Sequence, residues 1–141
     1  MTDAAGLRAL AKRVEAATGP DRALDFAIMR VAGWEEYVRH RGGLLAGIPC
    51  WRHPDGRIVE APFHYTASLD AAASLVPEGL SWQSGRRCHS DDGWFGHSIV
   101  WEPSDPRDDE AMRFMASAAT PALALCAAAL RARAAMMEER E

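Results

Sequence analysis

The chain has 141 residues, 48% of them hydrophobic, which suits one domain over 1–141 with a small core. Its formal net charge is −4, and no segment is basic enough to supply the positive field that nucleic acid demands. No apolar run reaches membrane-spanning length and no leader pattern opens the chain, so a cytoplasmic protein with no membrane segment is expected.

Leu7, Leu10, Ala11, Val14 and Ala17 recur at helical spacing and predict a helix over 4–17. Thr18-Gly19-Pro20-Asp21 stops it and starts a second near 20–32, with Leu24, Ala27, Ile28, Val31 and Ala32 as its stripe and Gly33 at its close. Residues 34–47 give no regular pattern: Trp34 and Tyr37 are large anchors, but Gly42, Gly43 and Gly47 break any period. Ile48 to Arg52 and Arg57 to Glu60 predict short strands joined by the turn His53-Pro54-Asp55-Gly56. Ser68 is the expected N-cap of a short helix over 69–76, ended by Pro77-Glu78-Gly79.

Leu80–Gln83, Arg86–Ser90 and Phe95–Trp101 predict a three-stranded meander, with turns at Ser84-Gly85 and at Asp91-Asp92-Gly93. Pro103 to Asp109 reads as a polar loop. Residues 110–118 read as a short helix, with an edge strand as the alternative. Thr120 then caps, and Pro121 opens, a helix over 121–138 built almost wholly of alanine and leucine. Leu123, Cys126, Ala127, Leu130, Ala134 and Met137 form its stripe, and Ala122, Leu125 and Ala129 widen it, so other elements must cover it. Cys126 on that stripe is expected to be a small buried hydrophobe.

The resulting order is α-α-β-β-α-β-β-β-α. Hairpins dominate it, so an α+β fold is expected: an α/β/α sandwich with a mainly antiparallel sheet of about five strands and helices on both faces.

Three segments carry a family resemblance. They are Gly19-Pro20-Asp21-Arg22-Ala23-Leu24-Asp25, Tyr65-Thr66-Ala67-Ser68-Leu69-Asp70-Ala71-Ala72 running on to Pro77-Glu78-Gly79, and Ala119-Thr120-Pro121 with the helix behind it. In order and spacing the chain resembles the Phage ABA sandwich family, small proteins of phages and prophages. Relatives usually have Trp directly after Pro-Glu-Gly; here Leu80 stands there, with Trp82 two residues on. The resemblance implies the α/β/α sandwich and a phage source, and it implies no reaction. All but one of the 16 basic residues are arginine, Lys12 being the exception, which together with the abundant alanine suits a GC-rich genome.

Few residues suggest chemistry. Cys50, His53, Cys88 and His97 have zinc-ligand types, and Cys50 and His53 have a knuckle-like spacing. Against zinc, Cys88 and His89 are adjacent and would face opposite sides of a strand. A thiol nucleophile would need a base beside Cys50 or Cys88. Asp91-Asp92-Gly93 and Asp108-Asp109-Glu110 lack the alternating carboxylates of a calcium loop. No motif for nucleotide, hydrolase or metalloprotease chemistry occurs, and no metal or cofactor is expected.

A binding surface is the stronger reading. Arg86, Arg87 and Trp94 fall at the expected meander turns, where a core needs neither tryptophan nor arginine, and both types dominate binding hot spots. The expectation is a non-enzymatic phage or prophage accessory protein that binds a protein partner, with an anti-CRISPR inhibitor as one version. The alternative is a small metal- or thiol-dependent enzyme using Cys50, His53, Cys88 and His97.

Overall fold

The computed structural model describes residues 3–38, 49–89, 91, 93–103 and 112–140. Helices are expected over 4–17, 20–32, 69–76 and 121–138, and among the described residues a helix stands at each of these four places. The first, α1 (Ala4–Ala16), begins where the Asp3 carboxylate accepts from the Gly6 amide at 2.8 Å. The second, α2 (Arg22–Val31), is capped by Asp21 on the Leu24 amide at 3.1 Å. The short α3 (Leu69–Ala73) has Ser68 on the Ala71 amide, and α4 (Pro121–Glu139) has Thr120 on the Leu123 amide, both at 3.2 Å. Each cap satisfies an amide that the helix itself leaves without a partner.

The strands form two antiparallel sheets. In the first, β1 (Glu35–Val38) pairs with β2 (Pro49–Arg52), which pairs with β3 (Ile58–Val59). In the second, β4 (Ser81–His89), β5 (Gly93–Trp101) and β6 (Arg113–Ala118) lie in that order. The α+β class and the antiparallel pairing are as the hairpin-rich sequence requires, with helices packed on the sheets. The six strands among the described residues are divided between two sheets, where one sheet of about five was expected.

Three local expectations need correction. Ser84-Gly85 is not a turn: β4 runs straight through it, with Ser84 opposite Ser98 and Gly85 opposite His97. Gly85 has no positive φ, whereas Gly93, at φ 78°, does, so the left-handed residue that a tight hairpin uses stands where β5 begins, beyond the end of β4. Residues 113–118 are strand rather than helix, because Ala116 and Ala118 alternate inward against β5 and pairing outweighs the helix preference of alanine and methionine. Third, β1 takes up part of the stretch 34–47 that showed no pattern. Trp34 precedes β1 and is buried, while residues 39–48, Ser90, Asp92 and 104–111 lie outside the described residues.

The long helix α4 sits at the centre. Every residue from Ala122 to Leu130 is buried, as a helix apolar all round should be. It packs on α1, on α3 and on the β4–β5–β6 sheet. The sheet meets it through small side chains: Gly96, Ser98 and Val100 of β5, and Ala116 and Ala118 of β6. The approach is so close that a Cβ on Gly96 would stand 2.1 Å from the Thr120 carbonyl. Ser84 and Ser98 hydroxyls, 2.6 Å apart, both lie in hydrogen-bond reach of the Pro121 carbonyl. The opposite face of the sheet carries Arg87, Phe95, His97, Ile99, Trp101, Met115 and Ser117, none of them buried. No helix among the described residues is long and apolar enough to cross a membrane.

Candidate functional site

The expected binding residues separate by strand geometry. Side chains alternate across a strand, so adjacent Arg86 and Arg87 face opposite sides of the sheet. Arg86 shares a side with Trp94, and its guanidinium lies over the indole ring, 5.1 Å from the centroid. Trp94 is 62% exposed, the highest value among the large hydrophobic side chains described. Arg87 lies opposite Phe95 on the other face. The surface therefore centres on Arg86 and Trp94, near the Gly93 end of the β4–β5 hairpin.

The cysteine–histidine set does not assemble. Cys50 is buried in β2 and His53 begins the following turn, while Cys88 and His97 belong to the other sheet. Cys88 and His97 also face opposite sides of that sheet. Among the described residues, no three His, Cys, Asp or Glu side chains group as metal ligands. Cys126 is fully buried and donates its Sγ–H to the Tyr65 carbonyl at 3.2 Å, and burial pushes its thiol up to about 12.

The segments that carry the family resemblance meet at Thr66. Asp25 of α2, 1% exposed, accepts from the Thr66 amide and hydroxyl, both at 2.8 Å, and pairs with Arg22 at 2.9 Å. The Asp21 amide donates to the Thr66 hydroxyl, and Cys126 of α4 bonds the neighbouring residue. A buried carboxylate with this many donors is satisfied, and the cluster staples α2 to the Thr66 segment. It holds the turn that presents Phe63 and Tyr65.

Those rings line a cavity of about 470 Å³. Trp34 packs edgewise on Phe63 at 5.4 Å and tilted against His53 at 5.1 Å; Phe63 meets Tyr65 at 5.8 Å. Arg57 lies over the Trp34 ring at 5.3 Å and is engaged by Asp55 at 2.6 Å. Bonds from the Arg57 backbone and side chain, and from His53, hold the Asp55 carboxyl below its usual range. Burial pushes the Tyr65 hydroxyl up to about 12, against a downward pull from the Arg133 guanidinium. Arg133 enters the same cavity from α4, with its Nε donating to the Leu75 carbonyl at 2.7 Å, and burial lowers its pKa. A second cavity, about 620 Å³ and lined by Leu7, Val31, Met136 and Met137, lies on the other side of Arg133.

No protein-family model matches the chain, and comparison with curated proteins and with solved structures gave no match.

Arg57, Phe63 and Arg133 were not singled out by sequence reasoning. One signal was available for Arg133. It interrupts an otherwise apolar helix that must be covered, and a charge so placed has to reach either a partner or a cavity.

Proposed function

We propose that this protein is a non-enzymatic accessory protein of a phage or prophage that acts by binding another protein, with Arg86 and Trp94 as the anchors. The observation that carries the binding reading is an exposed tryptophan with an arginine stacked on its face, in a hairpin end that packs no core. Such side chains supply large, rigid contact area, and partners bury them preferentially. Among the described residues the adjoining β4, nine residues long, is an edge strand, which an extended segment of a partner can pair with while leaning on Trp94. The net charge of −4 favours a protein partner over nucleic acid.

The phage origin rests on the resemblance of three segments to the Phage ABA sandwich family. Their convergence on Thr66 supports reading them as one structural signature. Inhibition of a bacterial defence system, as by an anti-CRISPR, is one specific version of this reading.

The test is to recover the partner that co-purifies from infected cells and to measure its binding to the Trp94→Ala variant. Loss of about 2 kcal/mol or more, roughly thirtyfold in affinity, with unchanged thermal unfolding is the expected result. Unchanged affinity, or a collapse in stability that makes Trp94 a structural residue, would remove the basis for the reading.

A further inference from the structure

We infer that the cavity between Trp34, Phe63, Tyr65 and Arg133 binds a small planar carboxylate, a function separate from the protein-binding surface on β4 and β5. Arg133 is the first reason. It leaves the buried helix α4 half-buried, its Nε is bonded to the Leu75 carbonyl, and among the described residues no carboxylate acts on its charge, the Tyr65 hydroxyl being the group that does. A guanidinium held through Nε has its two terminal nitrogens left to donate in parallel, the geometry that matches a carboxylate. Cations taken partly out of water are ordinarily paired, and here a ligand can supply the pair. Arg57, by contrast, is already engaged by Asp55.

The walls are the second reason. Trp34 and Tyr65 are buried and fixed by their neighbours, while Phe63 stays 36% exposed at the mouth. Rigid rings flanking a gap of about 470 Å³ suit a flat apolar body, and the volume falls within the range of small-molecule sites. Charge narrows the class further. Asp70 sits on the rim and repels a second negative charge, so a monoanionic carboxylate fits where a dianionic phosphate monoester does not.

The experiment follows the Trp34 indole N–H signal by NMR, assigned with Trp34→Phe, during titration with benzoate, benzamide and phenyl phosphate. Benzoate should give a saturable shift. Benzamide, the same shape without charge, should bind at least about tenfold more weakly, and phenyl phosphate more weakly than benzoate. Arg133→Gln should weaken benzoate by about tenfold or more. Ser74→Phe, which fills the rim from an exposed position, should block it while Arg86 and Trp94 signals stay unchanged. No saturable shift with benzoate, equal binding of benzamide, tighter binding of phenyl phosphate, or full retention by Arg133→Gln would each overturn the assignment. If Arg133→Gln does not fold, the benzamide comparison and Ser74→Phe decide.

Discussion

The two sides of this molecule are built on opposite packing principles. Where α4 meets the β4–β5–β6 sheet, the contact is made of Gly96, Ser98, Ala116 and Ala118, and backbone approaches backbone. Where α4 and α3 face the β2–β3 turn, the contact is made of Trp34, Phe63, Tyr65, Arg57 and Arg133, and a cavity of about 470 Å³ remains. Small side chains close a gap because nothing stands between the elements. Large rings prop elements apart, and rings meeting edge to face cannot tile the space they open. The close-packed side thus carries stability, and the propped side retains room for a ligand.

That contrast can be broken most directly at Gly96. A methyl group there meets the Thr120 and Pro121 backbone, and no rotamer relieves a clash between main chains. Gly96→Ala should cost more than about 4 kcal/mol, enough to unfold a marginal small domain. Gly85→Ala in the neighbouring strand meets open space and serves as the control. Denaturant unfolding of the pair checks this, and equal midpoints would show that α4 does not press on the sheet.

Leu130 comes next in size. It is fully buried in α4, and Leu130→Ala should cost about 2–5 kcal/mol according to how far its surroundings collapse. Thermal unfolding indistinguishable from the parent would make the helix peripheral.

Alkaline pH sharpens the comparison from the Tyr65–Cys126 contact. Burial raises both groups to about 12, from ordinary values of 10.0 and 9.0. Their anions are the charged forms, so the unfolded chain releases these protons first and the folded chain binds more of them. Stability is then fully present below pH 9 and is lost as pH climbs toward 12, by about 2–4 kcal/mol for each group. Cys126→Ala should flatten the lower part of this decline in pH-dependent urea unfolding, where the Cys126 thiol begins to titrate in the unfolded chain.

The smallest stability effects belong at the proposed binding positions. Trp94→Ala and Ser74→Phe change exposed side chains, and each should move the unfolding free energy by no more than about 0.5 kcal/mol. Their readouts are partner affinity and benzoate binding, so a large stability loss in either would place that residue with the scaffold.

Helix positions were legible in the sequence because their causes are local. Asp3, Asp21, Ser68 and Thr120 cap the amides of residues only three positions away, and Pro121 is compatible with a first turn whatever surrounds it. The burial of α4 was legible too, since a helix apolar all round has no other stable place. The first hairpin was marked by His53-Pro54-Asp55-Gly56, where Gly56 takes φ 96°.

What only the tertiary structure decided was everything set by partners distant in sequence. Ser84-Gly85 has turn chemistry, yet β5 supplies a continuous ladder along β4 and the turn is never made. Residues 113–118 favour helix by composition, and β5 again converts them to strand. That continuous strand takes Arg86 and Arg87 out of the expected turn and puts them on opposite faces of the sheet. Arg133 reaches Leu75, 58 positions earlier, and only that contact turns a charge on a buried helix into one wall of a cavity. Caps and periodicity are short-range and read from a few neighbours; strand pairing and cavity formation are long-range and exist only once the chain has closed on itself.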